Sequence, residues 1–264
     1  MNILSIQSWV ACGHVGNAAA MFPLQRLGAE VMAIHTTQLS NHLGHGAYTG
    51  RSSTPEEVAT LVAGLAAHGA LARCDAVLSG FVGAAGIGDV ILDAVARVRA
   101  ANAAALWCCD PVMGDDGKFY VGEGIAEFFS ARAVPAADIL IPNQFELNTL
   151  TGGLSGTLTE AKATCLGLQA RMREGGPRIV LVSSLRTAET PADALDMLLA
   201  VRAVFSTFAP SSFRSNSMAR AIRWRPCFFF ICWRRAMPWV RRPARPEALP
   251  GCCGAPGGRA ATSC

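Results

Sequence analysis

Ala104-Ala105-Leu106-Trp107-Cys108-Cys109 runs directly into Asp110-Pro111-Val112-Met113-Gly114-Asp115, and the join between these halves sets the reading of the chain. Six apolar residues in a row fit a strand buried on both faces, and a polar Pro/Gly turn carrying two carboxylates ends it. Similar apolar runs lie near 2–7, 30–35, 75–80, 137–141 and 178–183, separated by longer segments of helical period. Alternation of this kind predicts βαβ units, and so an α/β fold with a mainly parallel central sheet. The helix after Thr54 has a start signal: Thr54 caps, Pro55 suits the first turn and Glu57 completes a capping box, with Leu61, Val62 and Leu65 as its expected buried stripe. Further helices are expected over 87–100, with Ile91, Leu92, Val95 and Val98 on one face, and over 159–173.

Composition narrows the class. The 264 residues are 51% hydrophobic and 16% charged, the profile of a globular domain. The most apolar window, Cys227 to Trp233, is far shorter than the roughly 18 to 20 residues of a membrane span. The start, Met1-Asn2-Ile3-Leu4, lacks a basic leader. A cytoplasmic protein that does not enter a membrane is expected. The cysteines of the first 200 residues lack CxxC spacing and read as reduced, mostly buried thiols.

The net charge of +4 is unevenly spread. Residues 201–264 hold eleven Arg and a single acid, Glu247, for a net of +10, against −6 for the first 200. From about Val201 the chain loses Asp altogether and shows neither period 2 nor period 3.6. The expectation is a domain over 1–200 followed by an aberrant basic tail over 201–264 that is not natively folded.

Ligands of an open parallel sheet bind beyond the carboxyl ends of its strands. Four segments lie there. Ser8 leads into Gly13-His14-Val15-Gly16-Asn17, a small-residue turn that either caps a helix or touches a ligand. Ser40 to Gly46 is a polar, Gly-rich loop, a substrate clamp or a plain connection. Asp110 either holds Mg²⁺ and phosphates or caps the next turn. Pro142-Asn143-Gln144-Phe145-Glu146-Leu147 opens a helix, with Glu146 serving either the helix dipole or a metal-bound nucleotide.

Taken in order, ILSIQS with GHVGN, QLSNH, DAVLSGFVG, CDPVMGD, IPNQFEL and IVLVSSL resemble the pyridoxal kinase branch of the ribokinase-like superfamily, through about residue 200. The resemblance implies a three-layer α/β/α fold, ATP-dependent phosphorylation of the 5′-hydroxymethyl group of pyridoxal in vitamin B6 salvage, Mg²⁺ with the nucleotide, and a homodimer. It places Ser8, His42, Leu43 and Gly44 on the pyridine substrate, with Phe81 beside the ring. Asp110 and Glu146 fall on the metal and phosphate side, and Ile141, Ser183 and Ser184 along the nucleotide. The family often has Thr where Leu43 stands, and some members have Lys where Ser183 stands. Hydroxymethylpyrimidine kinase shares the fold and chemistry but fits QLSNH with CDPVMGD less well. A non-catalytic nucleotide- or pyridoxal-binding protein is the reading from outside the enzymes.

Phosphoryl transfer needs a base for the attacking hydroxyl and N–H donors for the charge on the γ-phosphate. The resemblance implies that one motif, GAGD, supplies both, and this chain has none. The genetic code offers an explanation. With free choice among synonymous third bases, joining the last base of each codon to the first two of the next permits Ser217 to Phe228 to be read as NGAGDSLAALF, in which Met218 before Ala219 must give a glycine codon. The same shift permits VFHVRT over Val204 to Pro210 and PVQFN over Phe213 to Met218. The frame is therefore expected to change near Val201 to Ala203. No catalytic base remains at the matching position near Ile222, and the Arg excess then follows without any nucleic-acid partner.

Overall fold

A computed structural model describes residues 1–208. The elements in chain order are β1 (Asn2–Cys12), α1 (Asn17–Arg26), β2 (Glu30–Asn41), β3 (Gly50–Ser52), α2 (Pro55–Ala67), β4 (Ala76–Ser79), α3 (Ala85–Ala101), β5 (Leu106–Cys109), β6 (Gly114–Asp115) and β7 (Lys118–Phe119). They continue with α4 (Ile125–Phe128), α5 (Val134–Ala136), β8 (Ile139–Leu140), α6 (Gln144–Thr151), α7 (Leu158–Arg171), β9 (Ile179–Leu185), β10 (Asp196–Val201) and β11 (Val204–Phe208). Nine strands form one sheet in the order β11-β10-β9-β8-β5-β4-β1-β2-β3, and β6 and β7 form a separate hairpin. The six strands from β9 across to β2 are parallel, while the edge strands β3, β10 and β11 are antiparallel.

Strand alternation splits the core. Leu4, Ile6, Val77, Trp107, Leu140, Val180 and Val182 face α2, α3, α6 and α7. Ile3, Val31, Leu78, Cys108, Ile139 and Leu181 face the other way, where α1 contributes Ala20 and Leu24. Both faces of the central strands are thus covered and largely apolar, as parallel strands require.

Helix starts follow the expected chemistry. Thr54 and Glu57 close a reciprocal capping box at α2, and Asn143 with Glu146 and Thr157 with Glu160 do the same at α6 and α7. The expected stripe of α2 needs correction: Val58 and Val62 are buried, while Leu61 is 54% exposed. Only one face of a thirteen-residue surface helix meets the sheet, and Leu61 lies off it. On α3, Ile91, Val95 and Val98 are buried as expected, and Leu92 is half-buried.

The sheet also extends past the expected boundary at residue 200. Val201 and Val204 pair across a two-residue turn, and β11 runs on to Phe208 along the edge. The rest of the 201–264 segment, including the Ile222 position, lies outside the described residues. Arg202 and Ala203 carry φ of 46° and 64°. Positive φ at both central residues is the demand of a type I′ hairpin turn, which Asn-Gly or Gly-Gly meets and Arg-Ala does not. Replacing Arg202-Ala203 by Asn-Gly is expected to raise the unfolding free energy by about 1–2 kcal/mol, as relief of left-handed strain implies. Urea unfolding of the double variant checks it, and an unchanged midpoint would contradict the strain.

Candidate active site

Parallel strands place their carboxyl ends along one rim of the sheet, so segments far apart in sequence meet there. At its β1 end the strand runs to Cys12, five residues past its expected end. It continues because the pairing slips between Gln7 and Trp9, so that Ser8 alone lies opposite Thr36 and Thr37. A bulge of this kind re-aims side chains at a sheet rim. Ser8 is 8% exposed. Gly16, at φ 52°, comes so close that a Cβ there would lie 2.2 Å from the Ser8 carbonyl oxygen. Only glycine closes this turn over Ser8.

Beneath Ser8 lies a buried polar set that sequence reading did not single out. The Asn17 Oδ1 accepts from Ser5 Oγ at 2.6 Å, and its Nδ2 donates to the Ile34 carbonyl at 2.9 Å and lies 3.0 Å from His35 Nδ1. The Gln7 Nε2 donates to Ser5 Oγ at 2.9 Å. Burial lowers the His35 pKa, which favours the neutral ring that such a contact needs. Thr36 Oγ1 donates to the Phe81 carbonyl at 2.6 Å, fixing the backbone of the residue expected beside the substrate ring. Thr37 Oγ1 is buried without a hydrogen-bond partner among the described residues. Asn17 does stand in the GHVGN turn, but its partners are up to eighteen residues away and carry no local signal.

The loop after β2 is half-buried at His42 and Leu43 and exposed at Gly44. His42 Nδ1 accepts the Gly44 N–H at 3.1 Å, which caps a short 3-10 turn over Leu43–His45. Asn41 and Ser40 tie the loop base to Ala47 and Thr49.

At the other end of the rim, Asp110 is half-buried just past β5, and its backbone N–H donates to the Ser79 carbonyl at 2.9 Å. Glu146 is fully buried. Its Oε2 accepts the Asn143 N–H at 2.8 Å and its Oε1 accepts the Met113 N–H at 3.1 Å, while Asn143 Nδ2 donates to the Gly114 carbonyl at 2.8 Å. Glu146 therefore fastens the CDPVMGD turn to the start of α6. Among the described residues no three His, Cys, Asp or Glu side chains form a metal-holding cluster.

Ile141 and Ser183 are both buried, and the Ser183 N–H donates to the Pro142 carbonyl at 2.9 Å. Ser184 is half-buried and lines a cleft of about 310 Å³ with Asp115, Asp116, Gln144, Phe145 and Arg186. Of the expected nucleotide residues, Ser184 alone lines that cleft. Asp115, Gln144 and Arg186 line it without having been expected there, although Asp115 and Gln144 stand inside CDPVMGD and IPNQFEL. A larger cavity of about 460 Å³ beside Gln169, Arg178 and Arg202 holds none of the expected residues.

All of the described cysteines but Cys12 are buried. Burial pushes Cys74 up to about 11 and Cys165 up to about 12, so both stay protonated and inert near neutral pH. No described helix is long and apolar enough to cross a membrane.

No family model matches the chain. Individual proteins do. A pyridoxal kinase of Granulibacter bethesdensis is 58% identical over 200 residues, covering 75% of this chain and 70% of that protein. One from Deinococcus radiodurans is 53% identical over 198 residues, covering 75% and 66%. Among solved structures, the pyridoxal kinase of Leishmania donovani in complex with ADP and pyridoxamine superposes with a TM-score of 0.74 at 32% identity, over 84% of this chain and 79% of that one. With the parallel sheet, the rim of site segments and these relatives agreeing, the chain belongs to the pyridoxal kinase family, on the α/β fold of its ribokinase-like relatives.

Proposed function

We propose that the described residues are the binding part of an enzyme that transfers the γ-phosphoryl group of ATP to the 5′-hydroxymethyl group of pyridoxal, and that this chain as written has lost the catalytic part. The observation that carries the first half is the 58% identity to a pyridoxal kinase over 200 residues, 75% of this chain. In this reading Ser8, the loop at His42, Leu43 and Gly44, and Phe81 take the pyridine ring. Ile141, Ser183 and Ser184 follow the nucleotide, and Asp110 faces its phosphates. The enzyme so read is a cytoplasmic homodimer.

A magnesium ion would fit this donor set. Mg²⁺ keeps most of its waters and takes one or two carboxylates beside the nucleotide phosphates, and Asp110 is a half-buried carboxylate at a strand end. Glu146 already accepts two backbone N–H groups, so its share is to hold the turn that carries Asp110. The ion supplies neutralisation of charge on the transferring phosphoryl group. Asp110→Asn keeps the shape and removes the charge. It is expected to weaken Mg–ATP affinity while leaving stability within about 1 kcal/mol. Calorimetric titration with Mg–ATP beside urea unfolding checks this, and a large stability loss at unchanged affinity would make Asp110 structural.

The second half rests on what the genetic code permits. The shift that restores GAGD also allows glycine at both turn positions, since Ala203 and Val204 begin with GC and GT, and each completes a glycine codon when a G precedes it. Arg202 and Ala203 are the residues held at positive φ. The turn thus suits the other reading frame better than this one. The missing motif likewise favours, as second reading, a protein that binds pyridoxal or nucleotide without turnover. Titrations with pyridoxal, hydroxymethylpyrimidine and ATP, run beside a turnover assay, separate the readings. Pyridoxal binding without turnover is the expected result, and preference for hydroxymethylpyrimidine would overturn the substrate assignment.

A further inference from the structure

Gln144 is the first residue of α6, and its side chain does not serve the helix. Its amide reaches to a residue 42 positions on: Oε1 accepts the Arg186 N–H at 3.0 Å, and Nε2 donates to the Arg186 carbonyl at 2.9 Å. Nε2 also donates to the Ser155 carbonyl at 2.7 Å. One side-chain amide therefore offers Arg186 the donor and acceptor that a neighbouring strand would offer. Arg186 is the first residue past β9, and Ser184, Arg186 and Gln144 line the same cleft of about 310 Å³.

We propose that Gln144 is a positioning residue for the nucleotide, a latch that fixes the end of β9 so that Ser184 and Arg186 face the cleft in one arrangement. This rests on the reading of the cleft as the nucleotide side of the site. Three observations favour a positional role over a stabilising one. Arg186 is exposed, so water replaces the latch at little cost to folding. The loop after Arg186 has anchors of its own: the Ala188 N–H donates to the Gly156 carbonyl at 2.8 Å, and Thr190 Oγ1 donates to Asp196 Oδ2 at 2.6 Å. Loss of the latch thus frees Arg186, next to Ser184 at the strand end, and leaves the paired strand before it and the loop beyond it tied. Finally, the cleft lining pairs one cation, Arg186, with the carboxylates of Asp115 and Asp116 among the described residues. A polyphosphate ligand therefore meets attraction or repulsion according to where the Arg186 backbone is held.

Gln144→Met keeps the length of the side chain and its helix propensity and removes all three hydrogen bonds. In the full chain, ADP affinity measured by calorimetry is expected to fall about tenfold, the scale of one or two preorganising hydrogen bonds. Pyridoxal affinity, read at the distant β1 and β2 end, is expected to hold within about twofold. Hydrogen exchange of residues 183–190 without ligand is expected to quicken, since the Arg186 amide loses its acceptor. Unchanged exchange would overturn the latch. Quicker exchange with unchanged ADP affinity would overturn its role towards the nucleotide, and a joint fall in ADP and pyridoxal affinity with a lowered Tm would make it merely structural. A wild-type chain that takes up no ADP would overturn the nucleotide reading of the cleft and this assignment with it.

Discussion

Pyridoxal-dependent ATP consumption by the chain as written is expected to stay at background, and a chain read in the shifted frame after about residue 201 is expected to exceed it by at least about 10², the smaller cost of losing either group alone. Loss of a general base costs about 10² to 10⁴ in rate, and loss of an N–H cradle for the developing charge costs about 10² to 10³. The two need not multiply, because they act on one transition state. At the matching positions the present chain has Ala221 and Ile222, flanked by Arg220 and Arg223. Neither apolar side chain accepts a proton, and a guanidinium stays protonated at any relevant pH. A coupled assay of both chains at saturating Mg–ATP and pyridoxal measures the difference. Robust turnover by the chain as written would mean that a base comes from elsewhere.

Asp138→Ala is expected to lower the unfolding free energy by about 3 kcal/mol, the lower end of the range for breaking a buried ion pair. The Asp138 carboxylate is fully buried at the start of β8. Its Oδ2 accepts from Arg99 Nη2 at 2.6 Å and from the Trp107 N–H at 2.8 Å, and its Oδ1 accepts from Arg173 Nη2 at 2.6 Å. One side chain thereby joins the end of α3, the middle of the sheet and the segment after α7. Arg99 and Arg173 remain 21% and 30% exposed, so water recovers part of the loss on the cationic side. Nothing recovers the Trp107 N–H, which is buried with its residue. Asp138→Asn keeps an acceptor for that N–H and is expected to cost less than Ala. Urea unfolding of both variants tests the ranking, and a loss under about 1 kcal/mol for Ala would contradict it.

Local patterns showed themselves plainly in the sequence. Apolar runs marked β4, β5 and β9 to within two residues, because strands covered on both faces leave little choice of residue. The capping box at Thr54 was equally visible, since both partners lie within one turn. Polar strand ends were harder. Ser8 to Cys12 and Thr36 to Asn41 mix polar and apolar residues, and their pairing depends on a bulge set by the neighbouring strand. The Gln144 latch and the Asp138 clamp were invisible because Arg186 on the one side, and Arg99, Trp107 and Arg173 on the other, stand 31 to 42 residues away. Glu146 shows another side of this: its motif marked it as a site residue, while its bonds to the Met113 and Asn143 N–H groups, one of them 33 residues away, showed only in the fold.

The proposed change of reading frame near residue 201 would join these observations: a recognisable kinase rim, an Arg-Ala pair held at positive φ and an Arg-rich segment lacking GAGD. Sequencing the gene across the codons for Leu195 to Phe228 tests it most directly. The account predicts third bases that spell Gly-Ala-Gly-Asp one frame over, beginning at Met218, with glycine codons over Arg202 and Ala203. Codons that spell neither would contradict it.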